Sequence, residues 1–215
     1  MNLAVLCDFD GTIITIDTAE HVLAKFAQGD WQFFDKQYQQ GQITLEECLR
    51  KQFSMVKASK EEILDALERV VTIRQGFVRL ARYCEKNVIP CIIVSAGLDF
   101  VINHFLKFND LENLVETYTA KTRFKLDGIN FTFPKPFDPT SVNFKQDLVR
   151  NCKTRGKKVV YVGDGQADYP AAMEADYPFA IKDSRLAKLC KNTRTRCVVI
   201  SDFTEVVEAI RKIVA

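Results

Sequence analysis

The sequence predicts an α/β fold with a parallel-sheet core and a small all-helical segment inserted after the first strand. Three observations carry this. Short apolar runs without strict polar alternation recur along the chain, as expected of strands covered on both faces. Helical patterns separate them, which implies right-handed crossovers between parallel strands. One stretch, about 18–74, has helical patterns and no strand-like run.

Leu3–Cys7 reads as the first buried strand. In the insert, one helix carries Val22, Leu23 and Phe26. A second carries Leu45, Cys48, Leu49, Phe53 and Val56, and a third carries Ile63, Leu64, Leu67 and Val71. Thr44 with Glu47, and Ser59 with Glu62, have capping-box spacing at the starts of the last two. Phe77, Leu80, Ala81 and Cys84 have helix spacing, and the run Val88–Val94 follows as a strand. Phe124, Leu126, Ile129 and Phe131 flank Asp127-Gly128, a type I′ hairpin signal. The apolar face of that hairpin is expected to cover core. Pro134, Pro136 and Pro139 mark an irregular loop. Lys145–Asn151 reads as a helix before the strand Val159–Val162. Tyr177–Ile181 and Cys197–Ile200 are further strands, and Val206, Val207, Ile210 and Ile213 form the stripe of a closing helix.

Composition narrows the function. The 215 residues carry 30 Lys and Arg against 28 Asp and Glu. That balance gives no electrostatic case for nucleic acid or an anionic membrane. No apolar run approaches a membrane span, and the N-terminal run is too short for a signal peptide. The chain therefore reads as cytoplasmic. Its seven cysteines contain no C-x-x-C, and neither of the two histidines sits beside one. Reduced thiols are expected, and structural zinc is not.

Four sites carry chemistry. C-D-F-D-G-T, Cys7–Thr12, places Asp8 and Asp10 directly after the first strand. Two carboxylates at the carboxyl end of a parallel strand attract a cation, and hard oxygen ligands suit Mg²⁺; a solvated turn would look the same. V-G-D-G-Q-A-D, Val162–Asp168, places Asp164 and Asp168 after another strand. V-S-A-G, Val94–Gly97, offers the Ser95 hydroxyl and following amides, including that of Ala96, as an anion cradle, or as an ordinary helix cap. Lys145 stands in V-N-F-K-Q-D-L, where a lone lysine is usually solvated.

In that order, the four resemble the haloacid dehalogenase-like hydrolase superfamily over the whole chain. The resemblance implies a Rossmann-like core, residues 1–13 and 76–215, and a helical cap, residues 14–75. It implies an Mg²⁺-dependent phosphatase working through an aspartyl-phosphate. Asp8 would be the nucleophile and Asp10 the general acid and base. Ser95, Ala96 and Lys145 would bind the phosphoryl group, with Lys145 also serving catalysis. Asp8, Asp10 (through its carbonyl) and Asp164 would hold the metal, with Asp168 supporting. An acid at Asp10 discounts carbon–halogen cleavage.

The helical cap and L-R-K-Q-F-S-M-V-K resemble the phosphoserine phosphatase branch. Asp17, however, stands where that branch has Glu, and Gln52 where it has the Arg that binds the substrate carboxylate. Arg50 cannot substitute, because helix positions i and i+2 do not share a face. I-R-Q-G-F through S-A-G-L-D-F, Ile73–Phe100, is more similar to the methionine-salvage phosphatases acting on 2-hydroxy-3-keto-5-methylthiopentenyl 1-phosphate. Those also have Asp at the place of Asp17, and their substrate lacks a carboxylate. A small phosphorylated metabolite is the expected partner, and the chain is expected to be a monomer or a homodimer. Asp17 and Gln52 are candidate substrate contacts or plain cap surface. A phosphoserine phosphatase, a phosphotransferase and a non-catalytic phospholigand-binding protein are the alternatives.

Overall fold

The computed structural model describes residues 2–214. In chain order the elements are β1 Leu3–Cys7, α1 Thr18–Phe26, α2 Trp31–Gln39, α3 Leu45–Phe53, α4 Lys60–Glu68, α5 Phe77–Lys86 and β2 Cys91–Ser95. Then come α6 Asp99–Phe108, β3 Glu116–Thr119, β4 Lys121–Lys125, β5 Gly128–Thr132, α7 Phe144–Thr154 and β6 Lys158–Gly163. The chain closes with α8 Tyr169–Glu174, β7 Tyr177–Ile181, α9 Arg185–Asn192, β8 Val198–Ile200 and α10 Phe203–Val214.

Six strands form one parallel sheet in the order β3-β2-β1-β6-β7-β8. All five residues of β1 are buried, which is why the strand reads as an unbroken apolar run. Strand β1 pairs with β2 on one side and β6 on the other, with Cys7 opposite Ile93 and Val162. The chain reverses its direction of travel across the sheet at β1, the switch point where open α/β sheets bind ligands beyond their carboxyl ends.

The insert holds four helices rather than the three expected. Helix α2, W-Q-F-F-D-K-Q-Y-Q, buries none of its residues. Its Trp31, Phe34 and Tyr38 recur at i, i+3 and i+7 but are only half-buried, a short stripe that the sequence reading passed over. Both expected capping boxes are present, Thr44 with Glu47 and Ser59 with Glu62. Strand β3 is a further addition to the expected elements. Its E-T-Y-T lies at the sheet edge and is mostly exposed. Strand β2 starts at Cys91 rather than Val88, which is 82% exposed at a positive φ of 54°. Strand β8 likewise starts one residue later than expected, at Val198.

The hairpin forms with a different turn. Lys125 pairs with Gly128, so Leu126 and Asp127 are the turn residues, and only Gly128 takes a positive φ, 126°. The start of β5 lies against the insert. A Cβ on Gly128 would stand 2.5 Å from the Ser54 carbonyl oxygen and 2.7 Å from that of Phe53, at the end of α3. Phe53 and Phe131 pack with ring centroids 5.1 Å apart. The Arg50 guanidinium lies over the Phe133 ring, and its Nε donates to the Phe131 carbonyl at 3.4 Å. The hairpin's buried face, Ile129 and Phe131, thus props α3 from outside the sheet. No helix among the described residues is long and apolar enough to cross a membrane.

Candidate active site

The nucleophile candidate Asp8 follows β1, and its amide donates to the Val162 carbonyl of β6 at 2.9 Å. The chain then makes a tight irregular turn over Phe9–Ile13. Asp10 has φ −66° and ψ 134°, and Gly11 has φ 66°. Glycine is required twice at position 11. The left-handed conformation disfavours a side chain, and a Cβ there would fall 2.3 Å from an Asp164 carboxylate oxygen. Thr12 Oγ1 donates to Asp164 Oδ1 at 2.9 Å, tying the first acid loop to the second.

Lys145, on the first turn of α7, is 3% exposed. Its Nζ donates to Asp8 Oδ1 at 2.8 Å and to Asp168 Oδ1 at 2.7 Å. Burial alone would push the ammonium pKa down, but the charges of Asp168 and Asp8 outweigh it and raise it. Asp168 is fully buried. Tyr161 Oη donates to its Oδ1 at 2.7 Å, and the amides of Asp164 and Gly165 donate to its Oδ2 at 3.1 and 2.8 Å. With Lys145 these donors occupy both oxygens. Burial opposes ionisation of Asp168, yet Lys145 and the other donors hold its pKa below the ordinary value.

The remaining carboxylates behave oppositely. Burial, then the charge of Asp168, raises Asp8 well above the usual range, against the pull of Lys145. Burial and Asp168 raise Asp164 to about 7. Burial and the charge of Asp17 raise Asp10 to about 7, against hydrogen bonds from Thr18. Oxygens of Asp8, Asp164 and Asp168 lie within 4.8 Å of one another. Fully ionised, these three would carry more negative charge than their single lysine neutralises. Hard oxygen donors at this spacing fit Mg²⁺.

Asp10 is aimed from the insert. Its Oδ1 accepts the Thr18 amide at 2.9 Å and the Thr18 hydroxyl, at the first turn of α1. Ser95 ends β2, is 1% exposed and accepts the Gly97 amide at 3.0 Å. Asp17 caps α1, accepting the Glu20 amide at 2.9 Å. Gln52 is buried, and its Nε2 donates to the Trp31 carbonyl at 3.2 Å.

All nine sequence-derived candidates (Asp8, Asp10, Asp17, Gln52, Ser95, Ala96, Lys145, Asp164 and Asp168) line one cavity of about 660 Å³. Its roof is α2, through Trp31, Asp35 and Tyr38 at i, i+4 and i+7, and Arg185 also lines it. The sequence reading missed Thr18, Tyr161 and this roof. A threonine opening a helix looks like a cap, a tyrosine in an apolar strand looks like core, and the apolar stripe of α2 is short and mixed with polar residues.

Fold and site together define an α/β enzyme with a carboxylate-and-lysine centre at the carboxyl edge of its sheet. The family model described as haloacid dehalogenase-like hydrolase matches residues 5–173, and the chain belongs to that family. It is 28% identical, over 98% of its length and 96% of the relative's, to a protein named 2-hydroxy-3-keto-5-methylthiopentenyl-1-phosphate phosphatase from Brevibacillus brevis. It is 29% identical, with the same coverage, to one of that name from Geobacillus kaustophilus. Among solved structures, a phospho-aspartyl intermediate analogue of phosphoserine phosphatase superposes with a TM-score of 0.72. That pair is 20% identical over 97% of this chain and 98% of the other. A substrate-bound phosphoserine phosphatase complex gives 0.70 at 18% identity, with the same coverage.

Proposed function

We propose that this chain is a cytoplasmic Mg²⁺-dependent phosphatase that hydrolyses a small phosphomonoester through an aspartyl-phosphate on Asp8. One observation carries the reading. A buried lysine bridges Asp8 and Asp168, while Asp10, raised to about 7, faces the same cavity.

An Asp8 carboxylate oxygen attacks phosphorus, and the bond from phosphorus to the ester oxygen breaks. Asp10 gives its proton to that departing oxygen. The Asp10 carboxylate then takes a proton from water as the water attacks the aspartyl-phosphate. Inorganic phosphate leaves and Asp8 is restored. Lys145 offsets the repulsion between the carboxylate and the phosphoryl oxygens, and the Ser95 hydroxyl and the Ala96 amide bind those oxygens. Asp8, Asp164 and the Asp10 carbonyl would hold Mg²⁺, with Asp168 supporting from behind. The ion would supply charge neutralisation at the nucleophile and the phosphoryl group. A pKa of about 7 suits a group that must be acid in one step and base in the next.

Residues 14–75 form the cap, and residues 1–13 and 76–215 form the core. The leaving group lies between Asp17 and Gln52 beneath α2. The Arg50 guanidinium is turned toward the hairpin, over Phe133. This arrangement favours a leaving group without a carboxylate, as in the methionine-salvage substrate named for the relatives.

The test is hydrolysis of p-nitrophenyl phosphate with Mg²⁺ and with EDTA, for the native protein and Asp8→Asn. The methionine-salvage substrate and phosphoserine follow in parallel. Mg²⁺-dependent release that vanishes in the variant is expected. Undiminished turnover in Asp8→Asn would overturn the mechanism.

A further inference from the structure

The return linker from the insert to the core, residues 69–76, carries a residue with no place in the chemistry described so far. Arg74 takes three consecutive carbonyls of the catalytic turn. Its Nη2 donates to the Gly11 carbonyl at 2.7 Å, its Nε to that of Thr12 at 2.8 Å, and its own amide to that of Ile13 at 2.7 Å. The guanidinium fork matches two neighbouring carbonyls, whereas an ammonium would reach only one well.

Those carbonyls belong to peptide planes that the turn does not hold by regular helical bonding. Asp10 and Gly11 both leave helical geometry there. Gly11 is pinned on its amide side by the Ile16 carbonyl at 2.9 Å, and on its carbonyl side by Arg74. Thr12 stands between the two planes that Arg74 grips, and its hydroxyl reaches Asp164. The arginine itself is anchored. Ile73 bridges Ile14, the Thr15 amide donates to the Thr72 carbonyl at 3.1 Å, and the Phe203 amide donates to the Gln75 carbonyl at 3.0 Å.

We propose that Arg74 is a positioning residue: through the peptide planes of Gly11 and Thr12 it holds Asp10 in line with the leaving oxygen. The proposal rests on the phosphatase reading above. The two guanidinium bonds are part-buried, a hydrogen bond from a charged donor is worth more than a neutral one, and small misplacement of an acid is costly in rate. Arg74 touches neither Ser95 nor Lys145, so phosphate binding should be spared.

The test compares kcat/KM on p-nitrophenyl phosphate, whose leaving group needs little protonation, and on an alkyl phosphate, whose leaving group needs much. Arg74→Met is expected to lose about tenfold more on the alkyl ester, the same pattern as Asp10→Asn. Inhibition by inorganic phosphate should change less than about threefold. Arg74→Lys keeps the charge but reaches only one of the two carbonyls well, so it should fall between Arg74→Met and the native protein, and it carries the comparison if Arg74→Met does not fold. Equal losses on the two esters, or none, would overturn the proposal while leaving the phosphatase reading intact. A native protein that hydrolyses neither ester would overturn both.

Discussion

Lys145 donates to Asp8 across 2.8 Å in a place where the lysine is only 3% exposed. An ammonium so buried persists because Asp8 and Asp168 flank it. Removing it takes away the cation paired with both carboxylates and leaves Asp168 only its Tyr161 and amide donors. Lys145→Met should therefore cost about 3–5 kcal/mol in unfolding free energy, measured by denaturant titration, and remove nearly all turnover. A loss under about 1 kcal/mol would show that the carboxylates find other partners.

Thr18 supplies two donors to Asp10, and only one belongs to its side chain. Thr18→Val preserves the volume and the amide. It should lower kcat/KM on alkyl phosphates by roughly 10–100-fold, the worth of one hydrogen bond to a charged group. The melting temperature should barely move. An unchanged rate would mean that the amide alone aims Asp10.

The raised carboxylates make stability depend on pH in a fixed direction. Asp10 and Asp164 ionise near 7 in the folded protein, against the ordinary 3.8 of the unfolded chain. Between those values the folded chain binds more protons than the unfolded one, so these groups lower stability as pH rises through that window. Asp168 acts oppositely, but its lowered pKa confines its effect to more acid pH. In EDTA, melting should come at a lower temperature at pH 8 than at pH 5.5. Added Mg²⁺ should raise the pH 8 value by on the order of 5–10 °C at a hundredfold excess over its Kd. A melting temperature at pH 8 indifferent to Mg²⁺ would count against the metal site.

Gly128 fits where nothing larger does, at φ 126° and under the Phe53 and Ser54 carbonyls at the end of α3. Gly128→Ala should cost about 1–3 kcal/mol. Faster amide hydrogen exchange in α3 and β5, with β1 and β6 unchanged, would mark the hairpin as the prop of the insert. Uniform loss of protection would contradict that.

Much of the site was legible because each acid follows a buried apolar strand, and parallel strands bring their carboxyl ends to one edge. Asp8, Ser95 and Asp164 stand just past or at the ends of β1, β2 and β6, which are neighbours in the sheet. The pattern could not show what depends on packing across elements. Asp168 reads as support for the metal site beside Asp164, but no spacing could show the Tyr161, Lys145 and two amides that bond its oxygens. Arg74 enters the sequence reading only within I-R-Q-G-F, and its bonds to the Gly11 and Thr12 carbonyls form only once the turn folds back to meet it. Helix α2 escaped notice because its stripe is short and its inward face, Trp31, Asp35 and Tyr38, mixes apolar with polar residues as a cavity wall does.

Every step of the proposed chemistry depends on Asp8 carrying the phosphoryl group. The most direct measurement is a rapid acid quench during turnover of p-nitrophenyl phosphate with Mg²⁺, then borohydride reduction and peptide mapping. Borohydride converts an aspartyl-phosphate to homoserine, so homoserine at position 8, absent without substrate, is the expected result. Steady turnover with Asp8 unmodified, or with the label on another residue, would contradict the account.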